Sequence, residues 1–248
     1  MREERTVTID KTEYTVVISD ETEALLAAKA AGRAIIGLWR KGGMDGAVTG
    51  ADYLAESLEA VDEEYLEQVV RRTFGMPWII GETRRLLIRE FCLEDAKMVP
   101  RETTDTEEDM VFYTPEKLRD YIRCQYGFYE YGIWALIEKE TGILIGKAGV
   151  FAFDEEESSE TLSLELGYHI FEPYRRKGYG AEACREIVRI VKGQTDGREE
   201  PPYGPCRIYA KIDASNEASI KVIQACGFKR LNQRYTEAGR CMYLYVLY

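Results

Sequence analysis

Glu165-Leu166-Gly167-Tyr168-His169-Ile170-Phe171-Glu172-Pro173-Tyr174-Arg175-Arg176-Lys177-Gly178-Tyr179-Gly180-Ala181-Glu182-Ala183 joins a strand pattern to a helix pattern through a basic turn. Upstream, residues 161–171 read as one long strand rich in Leu and aromatic residues. Downstream, Cys184, Ile187, Val188 and Val191 recur at i, i+3, i+4 and i+7, which predicts a helix from about Gly180 to Val191. Between them, Gly178 and Gly180 let the chain turn tightly and let a ligand approach the backbone. The helix start presents unpaired N–H groups and the positive end of its dipole, which suits phosphate or pyrophosphate. Arg175, Arg176 and Lys177 add charge for a polyanionic ligand. The turn lacks the Lys-Ser/Thr of a P-loop and the three-glycine spacing of a dinucleotide fingerprint.

The elements on either side set the context. Leu86–Phe91 reads as a strand; Thr114-Pro115 reads as a cap with proline at the first helical position, opening a helix to about Gly127. Ile133–Glu138 and Ile143–Phe153 read as strands joined by Glu140-Thr141-Gly142, a hairpin signal. Asp154–Glu160 is an acidic turn, read as a solvated hairpin tip rather than a cation site. Arg207–Asp213 is a strand, Asn216–Cys226 a helix and Cys241–Tyr248 a closing strand.

This order, with the quoted stretch, resembles the GNAT superfamily of acetyl-CoA-dependent N-acyltransferases. Glu165–Ala183 is similar to its acyl-CoA motif, and Ala214-Ser215-Asn216 with Ser219 and Ala225-Cys226-Gly227-Phe228 is similar to the motif that follows. Leu86–Ala96 resembles the opening strand and helix of its ribosomal-protein-acetylating branch. The resemblance covers about 82–248 and implies an α/β (α+β) fold: a mixed, mostly antiparallel central sheet flanked by helices. It also implies a bulge in the motif strand and its splaying from the neighbouring strand.

The resemblance implies roles by position. Backbone groups of Tyr168, His169 and Ile170 would bind the pantetheine arm of acetyl-CoA, one N–H polarising the acetyl carbonyl. Amides of Arg175, Arg176, Lys177, Gly178, Tyr179 and Gly180 would hold the pyrophosphate. Asn216 would meet the pantetheine and Ser219 would approach the thioester sulfur; a hydroxyl bonded within its own helix is the competing reading of Ser219. Glu165 is the chosen base, acting through water, with a structural salt bridge as the competing reading. His169 shares its face if the strand alternates regularly and is the second candidate base. Relatives that act on protein N-termini often carry Glu where Lys211 stands and a Tyr acid where Ile223 stands, so the acid is unassigned. The aromatic stretch Cys124–Trp134, with Glu130, is read either as a cation–π grip on an amine or as packing.

Composition narrows the partners. The 248 residues carry 33 basic and 44 acidic side chains, a net charge of −11, which disfavours nucleic-acid binding. No apolar run is long enough to span a bilayer, and the charged opening Met1–Arg5 lacks a signal-peptide core, so a cytoplasmic location without membrane attachment is expected. The six cysteines are scattered and read as reduced, mostly buried thiols; with one histidine, no metal site is expected. The acceptor is expected to bear an amine, on a small molecule or a protein, and a homodimer is allowed. A non-enzymatic acyl-CoA-binding or regulatory module is the alternative function.

Residues 1–81 form a separate α/β unit. Thr6–Asp10 and Thr15–Ser19 read as strands; Asp20, with Glu23, reads as the cap of a helix that Gly32 ends. Ala34–Trp39 reads as a buried strand, Gly42, Gly43 and Gly46 as a loop, and Asp62–Arg72 as a helix. Met76–Gly81 reads as a hinge or docking segment. Val16–Asp20, Ala27–Gly32, Ala34–Gly37 and Gly50–Tyr53 resemble the C-terminal half of a haloacid-dehalogenase-type phosphatase, whose acidic magnesium loop would fall at Asp20 and Glu21. No earlier nucleophile motif precedes them, so a remnant without phosphatase chemistry is expected.

Overall fold

The computed structural model describes residues 1–39, 50–103, 106–153, 162–193, 206–237 and 239–248. The Gly42–Gly46 loop and the acidic turn 154–160 lie outside them. The chain separates into two compact units, one of residues 1–78, 92–96 and 107–130, the other of 79–91, 97–106 and 131–248.

The first unit holds a four-stranded sheet in the order β1 (Arg2–Ile9), β2 (Thr12–Ser19), β3 (Ala34–Leu38), β4 (Leu54–Ala55). β1 and β2 form an antiparallel hairpin, while β2, β3 and β4 run parallel. Helix α1 (Thr22–Ala30) covers Val17 and Ile35 with Leu25 and Ala28; α2 (Glu63–Thr73) covers Val16, Ile18 and Ile36 with Leu66, Val69 and Val70. Adjacent residues of β2 therefore face opposite helices, which is why both strand faces are apolar. Asp62 caps α2 by accepting from the Tyr65 N–H at 2.8 Å. The cap expected of Asp20 is not made: Glu21 is the N-cap of α1 without a side-chain bond, and Asp20 instead pairs with the N-terminal amine.

This unit also contains α3 (Pro115–Tyr121), which opens at Thr114 without a side-chain cap bond. The expected single helix continues beyond Tyr121 as a π-helical turn, Ile122–Tyr129, and ends at Glu130 in the left-handed region, φ 60°.

The second unit is an eight-stranded sheet in the order β11-β12-β10-β9-β8-β7-β6-β5. Its strands are β5 (Ile79–Glu82), β6 (Leu86–Arg89), β7 (Ile133–Glu138), β8 (Leu144–Ala152), β9 (Leu162–Ile170), β10 (Cys206–Asp213), β11 (Lys229–Glu237) and β12 (Arg240–Leu247). Every pairing is antiparallel except β9 with β10. Three features depart from the sequence reading. Ile79–Glu82, which overlaps the end of the stretch read as a hinge, is the edge strand β5. The opening helix after β6 is a short 3₁₀ turn, Leu93–Lys97. The closing strand β12 is preceded by a further strand, β11, and lies between it and β10.

Helix α4 (Tyr179–Val191) buries Ala183, Cys184, Ile187, Ile190 and Val191 against the sheet, and α5 (Glu217–Ala225) buries Ile223. Of the cysteines, only Cys184 and Cys206 are buried, whereas Cys124 and Cys241 are exposed, and none is in a disulfide. The thiols are therefore not mostly buried as expected: Cys124 sits on an outer turn and Cys241 near the start of a hairpin strand. Among the described residues, no helix is long and apolar enough to cross a membrane.

Candidate functional site

The site is built on the end of β9. Its register with β8 is regular from Leu164↔Ala152 to Ile170↔Gly146, so the expected bulge is not formed there. Ser163 O and Phe171 N bond toward β8, so by alternation the main-chain groups of odd-numbered residues face β8 and those of Leu166, Tyr168 and Ile170 face β10. On that side the ladder runs only from Leu162↔Cys206 to Glu165↔Tyr209. Beyond Glu165 the strands part, as the resemblance implies, and the backbone of Tyr168 and Ile170 loses its strand partner. His169 differs from its expected role, since its main chain is turned to β8, opposite Lys147.

The regular strand puts Glu165 and His169 on one face and Tyr168 on the other. Glu165, with its side chain 13% exposed, lies at the vertex of the opening, 3.7 Å from Lys211 Nζ. The salt bridge foreseen as the competing reading is thus present. His169 Nε2 lies 2.9 Å from Glu102, which also accepts from the Glu172 N–H at 2.8 Å and from Arg175 Nη2. Burial raises the Glu102 pKa, but the Glu172 N–H, His169 and Arg175 outweigh it and hold the carboxyl below its usual range. Glu102 was not found from the sequence, because no motif marks it.

The basic turn follows a 3₁₀ turn, Glu172–Tyr174. Arg175 is not available to a ligand as a bare charge: its Nε donates to Ile170 O at 2.8 Å and its Nη2 to Glu102. Arg176 and Lys177 are exposed, without an ion pair among the described residues. Gly178 is the N-cap of α4 at φ 83°, a left-handed conformation that favours glycine, and offers no side chain to the amides of the first turn. Gly180 serves packing: a Cβ there would lie 2.8 Å from Tyr168 Cε2. The Tyr179 side chain donates its O–H to Glu138 and lies beneath the Arg85 guanidinium, 4.4 Å from its ring. Arg85 braces the turn, donating to Lys177 O at 2.9 Å and to Glu182 at 2.7 Å. Like Glu102, it carries no local sequence signal.

Asn216 caps α5, its Oδ1 accepting the Ser219 N–H at 3.1 Å. The Ser219 hydroxyl is bonded neither to its own helix nor to solvent alone; it accepts from the Tyr168 hydroxyl at 3.0 Å, across the gap where β9 and β10 have parted. Burial pushes the Tyr168 phenol up to about 12, against the lowering effect of Ser219. In the aromatic stretch, Tyr126 and Trp134 are buried, whereas Phe128 is 78% exposed and Tyr129 stacks edge-on against it. Packing thus accounts for the first two and not for Phe128. No group of three or more His, Cys, Asp or Glu side chains able to hold a metal is found among the described residues.

The arrangement suits a long polyanionic thioester: donors along a parted strand, then a basic turn at a helix N-terminus. The comparisons agree with it. The chain is 27% identical, over 66% of its length and 92% of the relative's, to an uncharacterised N-acetyltransferase, p20, of Bacillus licheniformis. It shares the fold of the ribosomal-protein-S5-alanine acetyltransferase of Vibrio fischeri, with a TM-score of 0.51 at 18% identity, over 67% of this chain and 94% of that one. Residues 85–229 match the model of the acetyltransferase (GNAT) domain. With more than half of its residues within that match, the chain belongs to the GNAT acetyltransferase family.

Proposed function

We propose that this chain moves the acetyl group of acetyl-CoA directly to an amine acceptor, in a domain of about residues 82–248. The observation that carries the reading is the end of the β9–β10 ladder at Glu165, beside the Arg175–Gly180 turn. The main-chain N–H groups of Tyr168 and Ile170 and the Tyr168 carbonyl would bind the pantetheine, and the amides at the start of α4 the pyrophosphate, with Arg176 and Lys177 adding charge. The attacking amine must be neutral. Glu165, 3.7 Å from Lys211, would take its proton through water, a contribution of roughly 10²–10⁴-fold. Donors preorganised toward the acetyl oxygen would stabilise the developing negative charge. The ribosomal-protein-acetylating resemblance suggests a protein amine as one acceptor class. Residues 1–81 are read as a haloacid-dehalogenase-like remnant without phosphoryl chemistry.

The Glu165–Lys211 pair also favours a second reading, a binding module whose carboxylate is structural. Titration calorimetry with acetyl-CoA, followed by thiol release over a panel of amines, separates the two. Binding with turnover supports the transferase, binding without turnover on any amine supports the module, and no binding refutes both.

A further inference from the structure

Where β9 and β10 part, a cation, a carboxylate and an apolar wall share one face of the sheet. Tyr209 is the last β10 residue paired with β9, opposite Glu165, so both point to the same side. By strand alternation Lys211 follows on that side along β10 and Gly167 along β9, one on each lip of the opening. Lys211 Nζ is 3.7 Å from Glu165 Oε2, too far for a hydrogen bond, and it makes no hydrogen bond among the described residues. Its place is nonetheless fixed, 5.1 Å from the Phe153 ring, which stacks on Tyr209 with centroids 4.3 Å apart. The ammonium therefore keeps its three donors for water or a ligand. On the opposite lip Gly167 brings no side chain. A Cβ there would lie 3.2 Å from Phe151 Cε1 and 3.7 Å from Ile133 Cδ1, so two apolar side chains flank the bare strand. Phe151 is 38% exposed.

We propose that the acceptor is a free α-amino acid with an apolar side chain, its amine held at Glu165, its carboxylate at Lys211 and its side chain along Phe151 and Ile133. The inference rests on the transferase reading above and deepens it. In an α-amino acid the nitrogen and the carboxylate carbon are about 2.5 Å apart across one Cα, so both ends reach the Glu165–Lys211 pair together. Each protein group then exchanges an ion pair without a hydrogen bond for a charge-assisted hydrogen bond. An amine lacking a carboxylate fills half of the pair, and a peptide N-terminus puts a neutral amide at Lys211. In the transfer, the neutral amine nitrogen bonds to the acetyl carbon, and the carbon–sulfur bond breaks with its electron pair passing to sulfur. The nitrogen's proton goes through water to Glu165, and the CoA thiolate takes a proton from solvent. Lys211 stays protonated and holds the carboxylate, which remains on the product.

The test measures thiol release by the full chain with acetyl-CoA and phenylalanine or leucine, each beside its amide and its decarboxylated amine, phenethylamine or isopentylamine. In the wild type the amino acids should be used with a kcat/KM roughly 10–100-fold above the amides and the decarboxylated amines, the range of one charge-assisted hydrogen bond. The amine of an amino-acid amide is less basic and more often neutral at pH 7, so reactivity alone would favour the amide over the acid. Lys211→Met should raise KM for the amino acids about 10-fold and remove the preference, and Lys211→Arg should keep it, with acetyl-CoA affinity within about threefold in both as the sign of a folded variant. The wild-type comparison decides the matter even if Lys211→Met fails to fold. Wild-type turnover of amides, decarboxylated amines or peptide N-termini at least equal to that of the amino acids, or a preference that survives Lys211→Met, overturns the inference and leaves the transferase intact. A wild type that binds no acetyl-CoA, or binds it without turning over any amine, overturns both.

Discussion

Replacing Glu102 by Gln keeps the side chain's shape and removes its charge. The carboxylate is 11% exposed and accepts from the Glu172 N–H, His169 and Arg175. Charge-assisted bonds at buried sites contribute about 1.5–3 kcal/mol, whereas screened surface pairs contribute about 0–1 kcal/mol. Arg175 is 44% exposed, so the value belongs between these limits, at roughly 1–2 kcal/mol near neutral pH. For a chain of this size that lowers the melting temperature by about 2–8 °C. The pH dependence gives the sharper test. The folded pKa of Glu102 is depressed, so its contribution is fully present above the unfolded carboxyl value and is lost as pH falls through the folded one. Melting curves of the wild type and Glu102→Gln between pH 3 and 8 should differ by a constant amount above about pH 5 and converge below it. A gap that persists unchanged into acid, or no gap at neutral pH, would refute the assignment of Glu102 as the charged anchor of His169 and Arg175.

Three further outcomes are expected. Glu165→Gln should lower the acetylation rate at neutral pH by roughly 10²-fold with little change in acetyl-CoA affinity, and a wild-type pH–rate profile would make this carboxylate structural. Gly180→Val should destabilise the fold by about 1–3 kcal/mol, because its Cβ would overlap the Tyr168 ring, so denaturant unfolding should reveal the loss before any binding assay. Arg85→Ala removes the guanidinium bonds to Lys177 O and Glu182 and should weaken acetyl-CoA binding several-fold by calorimetry without touching the acceptor; equal affinity would show that the turn needs no brace.

The sequence alone determined what local chemistry controls. The turn at Gly178 and the α5 cap at Asn216 are contacts within a few residues, and α4's apolar spacing follows from its helical period. Buried strands such as β3 and β8 announce themselves by apolar runs. Edge strands do not: β11 reads Lys-Arg-Leu-Asn-Gln-Arg-Tyr-Thr-Glu, because a strand with one neighbour need not be apolar on both faces. β5 is hidden for the same reason, within a stretch whose proline and glycine suggest a hinge. The partners of the site residues were decided by tertiary structure only. Tyr168 meets Ser219 from 51 residues away, Arg175 meets Glu102 from 73 and Arg85 meets Glu182 from 97. No periodicity reaches that far. Because the β9–β10 ladder stops at Glu165, Tyr168 and Ser219 meet across the opening, a contact fixed by where the strands part and not by their neighbours in sequence.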